Sequence, residues 1–212
     1  KFPGVTEKKR RTYDAMMLAM DEAIGRVRKK LVEASLEKNT LVLFISDNGG
    51  PTMPGTTANA SRNDPFRGSK RTTLEGGVRV PFFMQWPARL PPGQVVDQPI
   101  IQIDLLPTIL AAIGVGTKPE WKLDGVDLLP HLTGAASAAL PPPHDALFWR
   151  FGSQMAVRRG DWKLVRYDLA VEGESGVSAA KLYDLRHDIG EATDLAARHP
   201  ERVQELQRAW DQ

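Results

Sequence analysis

The sequence predicts an α/β protein that carries a small α+β subdomain at its carboxyl end. Residues 12–37 place apolar side chains at helical spacing, and an uninterrupted apolar run follows at 41–45. Several short strand-like segments come after three consecutive prolines at 141–143. A helix that leads into a buried strand is typical of an α/β domain, whereas a run of short strands ending in a helix is typical of an α+β unit.

The amino-terminal segment is predicted to be an amphipathic helix over 12–37. Its apolar residues recur every three or four positions, and they are Met16, Met17, Met20, Ile24, Val27 and Leu31. Methionine is a flexible core filler, so we expect this stripe to be buried in a core. The segment 41–46 shows no polar alternation and is predicted to be a fully buried strand. Together they predict a helix–strand unit of a parallel sheet.

The middle of the chain is predicted to alternate between loops and short elements. Residues 49–70 are rich in Gly, Pro, Asn, Thr and Ser, and such a long irregular loop is usually functional or disordered. We expect it to face a substrate. The apolar segment 78–86 predicts a second buried strand, and 128–133 a short helix. A helix is also predicted over 104–113, with Pro107 in its first turn, where proline is tolerated.

The prolines at 141–143 predict the boundary between a domain of residues 1–140 and a subdomain of residues 141–212, because consecutive prolines continue neither a helix nor a central strand. Beyond them, 146–151, 154–159 and 162–168 predict short antiparallel strands with Gly152 and Gly160 in the turns. A fourth strand is predicted at 181–184 and a terminal helix at 199–210.

Composition limits the classes of partner. A formal net charge of +2 gives no reason to expect nucleic acid as a partner. The chain has no cysteine and therefore no disulfide. No apolar run approaches the roughly 18 residues that a membrane span requires, so we expect no membrane span.

Polar residues follow the apolar run 41–45 at once, in the order Ser46, Asp47, Asn48, Gly49 and Gly50. In open α/β sheets, ligands bind outside the carboxyl ends of the strands. The side chains of Asp47 and Asn48 are hard oxygen ligands that suit Ca²⁺ or Mg²⁺. Taken alone, these residues favour a simple turn more than a metal site.

The next polar segment, 63–81, changes that balance. It reads Asn63-Asp-Pro-Phe-Arg-Gly-Ser-Lys70, and later Glu75-Gly-Gly-Val-Arg-Val-Pro81. With the Asp-Asn-Gly strand end, it resembles the sulfatase family of the alkaline-phosphatase superfamily, and similar segments extend over essentially the whole chain. The resemblance implies the carboxyl-terminal part of an alkaline-phosphatase-like mixed sheet sandwiched by helices, plus a small subdomain with a four-stranded antiparallel sheet and a terminal helix.

The resemblance also implies roles for four residues. Asp47 and Asn48 match metal ligands, with Ca²⁺ the usual ion and Mg²⁺ the alternative. Lys70 matches a catalytic lysine that contacts a sulfate oxygen of the substrate. Arg67 is either a second contact to the bound anion or a structural ion-pair partner of Glu75.

The family's nucleophile motif, Cys/Ser-x-Pro-x-Arg, does not occur in these 212 residues. We therefore expect the carboxyl-terminal half of a sulfatase, inactive alone, whose formylglycine nucleophile lies in an amino-terminal half. The expected substrate is a sulfate ester, such as a sulfated carbohydrate, and the expected location is exported (periplasmic, secreted or lysosomal). The alternatives are a phosphodiesterase or phosphonate monoester hydrolase of the same superfamily, or a non-catalytic carbohydrate-binding or interaction module.

Overall fold

A computed structural model describes residues 2–57, 59–133 and 140–211. Its helices and strands confirm the mixed α/β class and the antiparallel carboxyl-terminal sheet. In chain order they are α1 Lys8–Glu33, β1 Val42–Ile45, α2 Glu75–Val78, β2 Phe82–Gln85, α3 Leu105–Ala112, α4 Leu129–Leu132, β3 Leu147–Phe151, β4 Gln154–Arg159, β5 Trp162–Arg166, β6 Lys181–Asp184 and α5 Pro200–Trp210. The short helix α2 had no counterpart in the sequence prediction.

The chain divides into two compact units. One comprises residues 1–30, 44–82 and 148–212, and the other comprises residues 31–43 and 83–147. The first unit thus combines the loop that carries the candidate site residues with the carboxyl-terminal sheet. The domain boundary between residues 140 and 141 remains a prediction.

The first unit contains the four-stranded antiparallel sheet, in the order β3-β4-β5-β6. Its register places Val157 opposite Leu164, and Leu164 opposite Leu182. Gly152 and Gly160 follow β3 and β4 with φ of 61° and 58°. Because this left-handed conformation is open to glycine at little cost, both glycines form the turns that the sequence predicted.

One face of this sheet forms the main buried core of the first unit. Its members are Leu74, Ala156, Val165, Tyr167, Tyr183 and Leu185. Leu74 comes from the loop before α2, so the core joins that loop to the sheet. The terminal helix α5 buries Leu206, and its Trp210 ring lies 6.3 Å from the ring of Phe148.

Helix α1 differs from the prediction in its burial. It contains no buried residue, and the exposed fractions of Met16 and Val27 are 65% and 62%. The expectation that this stripe is buried in a core is therefore wrong for the described residues, because none of them covers that face. The periodicity correctly indicates a helix with an apolar face, but periodicity alone does not supply a partner for it.

Strand β1 also differs from the prediction. All four of its residues are only half-buried, and its partner in the described part of the sheet is β2. The backbone N–H groups of Ser46 and Gly49 donate to the carbonyls of Pro81 (3.3 Å) and Gly77 (2.9 Å). Since the residue number rises on one segment as it falls on the other, the two segments run antiparallel. The predictions of a fully buried strand and a parallel neighbour are thus not met, because β2 alone pairs with β1 among the described residues.

In the second unit, a buried polar network holds the start of α3. The Asp104 carboxylate accepts hydrogen bonds from the backbone N–H of Ile101 (2.9 Å) and Val126 (2.9 Å), and it lies 2.8 Å from Nε2 of His144. Thr108 Oγ1 accepts from the Leu128 N–H at 3.0 Å. Asp104, directly before α3, and Thr108, within it, therefore hold the segment 126–128 against the start of the helix. Across the described ranges, no helix is long and apolar enough to span a membrane.

Candidate metal and anion site

The polar residues after β1 lie in a tight turn at the carboxyl end of the strand. The hydroxyl of Ser46 donates to the carbonyl of Asn48 (2.9 Å), and Asp47 Oδ1 accepts from the Asn48 N–H (3.0 Å). The Asn48 side-chain amide donates to the carbonyl of Gly49 at 2.9 Å. Asp47 is exposed and Asn48 is half-buried. Both predicted ligands are therefore at the strand end, within a turn of the kind that the sequence also favoured.

Gly49 brings this turn into direct contact with the backbone of α2. A Cβ atom added at Gly49 would lie 1.7 Å from the carbonyl oxygen of Gly76. The Gly49 N–H donates to the carbonyl of Gly77 at 2.9 Å. No residue with a side chain fits this contact unless the backbone moves. The glycines of the two motifs thus allow the strand end and α2 to pack together.

The segment that carries Lys70 is tied to the same turn through Gly50. The Gly50 carbonyl accepts from the Lys70 N–H (3.1 Å) and from Asn63 Nδ2 (2.9 Å). Asn63 Oδ1 in turn accepts from the Gly50 N–H at 2.8 Å. Asn63 therefore clamps Gly50 from both sides. No role for Asn63 was predicted from the sequence, because an Asn in a loop rich in polar residues carries no signal that would single it out.

The Lys70 side chain is exposed, and its ammonium has no carboxylate partner in the part of the chain that the structure describes. The next residue, Arg71, has a left-handed φ of 76°. Glycine adopts this backbone conformation at less cost than arginine does. The exposed ammonium of Lys70 is thus available to an anion from solvent.

Arg67 is engaged by the carboxyl-terminal part of the first unit. Its Nη1 donates to the carbonyl of Glu191 (2.9 Å), and its Nη2 donates to the hydroxyl of Tyr167 (3.2 Å) and to Glu172 Oε1. Lys181 Nζ donates to the same Tyr167 hydroxyl at 2.6 Å. We call the side chains of Arg67, Tyr167, Glu172 and Lys181 the Glu172 cluster. The ion-pair partner of Arg67 is thus Glu172 and not Glu75.

Hydrogen bonds hold Glu172 in its ionised form. The bond from the Tyr167 hydroxyl (2.5 Å), with those from Arg67 and Lys181, lowers the pKa of Glu172 to about 2. The same phenol raises the pKa of Lys181. Because the guanidinium of Arg67 binds Glu172, Tyr167 and the Glu191 carbonyl, the geometry favours a structural role for Arg67 over a contact with a substrate anion.

A second ionic group, whose pairing was not predicted from the sequence, lies against α2. The ammonium of Lys163 on β5 is 2.8 Å from Glu75 Oε1 and 2.9 Å from Glu191 Oε1. All three side chains are almost fully buried. We call them the Lys163 triad. Lys163 stands between Trp162 and Leu164 in an apolar strand, and no local pattern indicates its partners.

The donor set at the end of β1 suits a metal ion in kind but not in number. Asp47 offers a carboxylate and Asn48 an amide oxygen, both hard ligands that suit Ca²⁺. Within the described ranges there is no group of three or more His, Asp or Glu residues that could hold a metal ion. Because Ca²⁺ takes about six to eight oxygens, these two residues could supply at most part of a ligand set.

Two family models together match nearly the whole chain. The family model Sulfatase matches residues 1–115, and the model "N-sulphoglucosamine sulphohydrolase, C-terminal" matches residues 68–210. N-acetylgalactosamine-6-sulfatase from Canis lupus familiaris is 33% identical over 162 residues, which is 76% of this chain and 30% of that protein. Arylsulfatase A from Homo sapiens is 33% identical over 216 residues, which is 91% of this chain and 41% of that protein.

Among solved structures, Ps i-CgsB in complex with k-i-k-neocarrahexaose superimposes with a TM-score of 0.84 at 28% identity. The match covers 99% of this chain and 44% of that chain. The 212 residues therefore span less than half the length of each of these relatives.

Proposed function

Because this chain belongs to the sulfatase family, we propose that it supplies part of the active site of a sulfuric ester hydrolase. Asp47 and Asn48 act as metal ligands, and Lys70 contacts a sulfate oxygen of the substrate. The observation that carries the proposal is the pair of backbone hydrogen bonds that holds the turn after Asn48 against both the Lys70 segment and α2: Lys70 N–H to Gly50 (3.1 Å) and Gly49 N–H to Gly77 (2.9 Å).

Asp47 and Asn48 would hold Ca²⁺, with Mg²⁺ as the alternative ion. When bound, a divalent cation stabilises negative charge on the oxygens of the ester. These 212 residues contain no Cys/Ser-x-Pro-x-Arg motif. The formylglycine nucleophile and the other metal ligands are therefore proposed to come from sequence outside them. The isolated chain should then release no sulfate.

Lys70 is proposed as the catalytic residue of this chain. A lysine ammonium is a compact charge that approaches an anionic oxygen without the paired geometry that a guanidinium requires. Its side chain is exposed, while its backbone N–H is fixed to Gly50. A direct contact from Arg67 to the substrate would require its ion pair with Glu172 to break. We therefore assign Arg67 to the support of the segment.

A sulfated carbohydrate is the proposed substrate class. One relative is named for an amino-sugar sulfate, and one structural neighbour holds an oligosaccharide. The exposed Arg71, next to Lys70, adds positive charge that would favour a substrate bearing further acidic groups. An exported location is proposed on the same basis, because sulfated sugars are mostly encountered outside the cytosol.

The proposal is tested by binding rather than by turnover. The ¹⁵N-labelled chain is titrated with phenyl sulfate in the presence of Ca²⁺, and the amide resonances are followed by NMR. We expect the shifts to concentrate at Gly49, Gly50 and Lys70, with a dissociation constant of about 1 mM or weaker, since a few polar contacts support little affinity. Lys70→Met should weaken binding severalfold.

The matched control is Lys118→Met, which removes an exposed lysine from the second unit. It should leave the shifts at Gly49 and Gly50 unchanged. Shifts spread over all surface lysines, or equal binding by Lys70→Met, would contradict the assignment of Lys70. Stronger binding of phenyl phosphonate than of phenyl sulfate would favour the phosphonate monoester hydrolase. Release of sulfate by the isolated chain would contradict the proposed external nucleophile.

A further inference from the structure

The Lys163 triad is a charged group inside the protein. The exposed fractions of the side chains of Lys163 and Glu191 are 0%, and that of Glu75 is 2%. Removing charges from water carries a penalty of several kcal/mol per ion, and apolar residues often replace a buried ion pair without loss of stability. Stability alone therefore does not explain why charges occupy this position.

The surrounding cations keep the Glu75 carboxylate ionised. Burial by itself raises the pKa of Glu75, but the attraction of Lys163, Arg158 and Arg79 outweighs burial and lowers it. Arg79 and Arg158 lie 3.6 Å and 4.0 Å from Glu75 Oε2. For Glu191, burial raises the pKa more than Lys163 lowers it. Glu75 is thus the carboxylate most firmly held by the cations.

The Glu191 carboxylate also binds the backbone of α2. Its Oε2 accepts from the Glu75 N–H at 2.7 Å, so the first residue of α2 is held by both its side chain and its main chain. Glu191 itself has a left-handed φ of 52°. A residue other than glycine adopts this conformation at a cost of order 1–3 kcal/mol, and such strain commonly accompanies a functional constraint.

The residues after Glu75 transmit this position to the candidate ligands. Gly76 and Gly77 follow Glu75 in α2. The carbonyl of Gly76 would lie 1.7 Å from a Cβ atom on Gly49, and the carbonyl of Gly77 accepts the Gly49 N–H. Gly49 directly follows Asn48. The position of the candidate ligands thus depends on the backbone of α2, which the triad fixes.

We propose that Lys163 is a positioning residue that holds α2, through Glu75 and Glu191, where its backbone sets the turn of Asp47 and Asn48. The proposal rests on the proposed function, since it matters for catalysis only if that turn binds the metal. It assigns to the carboxyl-terminal sheet, which carries Lys163, a role in positioning the site. Two buried carboxylates around one ammonium define a single position for α2, whereas an apolar contact would allow it to slide.

The test is amide hydrogen exchange of the 212-residue chain, followed residue by residue by NMR. Lys163→Met keeps an unbranched side chain of similar length but removes the charge. We expect exchange at Gly49, Gly76 and Gly77 to accelerate by at least about tenfold, because breaking a buried pair leaves uncompensated carboxylates. Exchange at Val157 and Leu164, in the sheet, should accelerate much less. A role confined to overall stability would move both groups by the same factor.

Two further variants keep the test decisive. Glu75→Gln preserves the shape of the side chain and should loosen the same three glycines, so it replaces Lys163→Met if that variant does not fold. Lys181→Met is the matched control on β6, because Arg67 and Tyr167 still bind Glu172 in its absence. It should leave the three glycines unchanged.

Equal acceleration in the sheet and in α2, or no acceleration at the glycines in either triad variant, would overturn the proposal. The readout involves no sulfate ester, so it separates the two claims. Selective loosening in a chain that does not bind phenyl sulfate leaves the positioning role intact and removes the proposed function. Binding of phenyl sulfate with uniform exchange does the reverse.

Discussion

Gly49→Ala is the substitution for which the structure predicts the most specific cost. The added methyl group would lie 1.7 Å from the Gly76 carbonyl oxygen, 2.7 Å from its carbon and 3.1 Å from Gly77 Cα. All three atoms belong to the backbone, so no side-chain rotation relieves the overlap. Either the turn after β1 or α2 must move by more than about 1 Å before the added carbon lies at an ordinary contact distance from the Gly76 oxygen.

The magnitude follows from two terms. Forced overpacking typically costs about 1–3 kcal/mol. The shift also breaks the hydrogen bond from the Gly49 N–H to the Gly77 carbonyl, a loss of about 0.5–1.5 kcal/mol. We therefore expect the free energy of unfolding to fall by about 1.5–4.5 kcal/mol, which for a chain of this size lowers Tm by roughly 3–18 °C.

Equilibrium urea unfolding, followed by circular dichroism and tryptophan fluorescence, measures this change. Gly25→Ala is the matched control, because a Cβ atom there meets nothing within 4 Å and Gly25 lies inside α1. Alanine is favoured over glycine in a helix by about 1 kcal/mol, so the control should be slightly more stable. If Gly49→Ala unfolds at the same urea concentration as the wild type, the close contact between the two glycine motifs is refuted.

Three further predictions concern other parts of the chain. Glu172→Gln should lower Tm at neutral pH, and the deficit should shrink as the pH falls from 4.5 towards about 2, because the folded-state pKa of Glu172 is lowered to that value and its stabilisation is lost over this range; a deficit independent of pH over this range would contradict the ionic role of the Glu172 cluster. Thr108→Val should cost about 1–3 kcal/mol in urea unfolding, because the Leu128 N–H loses its acceptor in a buried site; wild-type stability would show that another acceptor replaces the hydroxyl. Arg71→Gly should raise the free energy of unfolding by about 1 kcal/mol in calorimetry, since glycine relieves the left-handed φ of 76°; a loss of stability would mean that the arginine contacts outweigh the strain.

The features that depend on neighbouring residues were predictable. The bounds of β4 and β6 agree with the predicted 154–159 and 181–184, because glycine turns and apolar runs define short strands locally. The place of Asp47 and Asn48 at a strand end followed from the same local logic. Their motif, together with the Lys70 segment, was enough to indicate the family.

The features that depend on distant residues were not predictable. The stripe of α1 predicts a helix, but whether Met16 is covered depends on what packs against it. The partners of Glu75 and Arg67 lie 88 and 105 residues further along the chain, at Lys163 and Glu172. No pattern in a single sequence pairs such residues, so the supports of the site appear only in three dimensions.

The long sequence separation of these supports also has a consequence for biosynthesis. Arg67 and Glu75 leave the ribosome well before the residues that hold them, and the bond from Arg67 to Glu191 closes a separation of 124 residues. Contacts between residues so far apart in the sequence form late, because the entropy of closing the loop is lost before the contact stabilises the chain. The turn of Asp47 and Asn48 should therefore become ordered only after the last strand has been synthesised. Until then, the segment that carries Lys70 lacks the contacts from Glu172 and Glu191 that hold Arg67 in the folded chain.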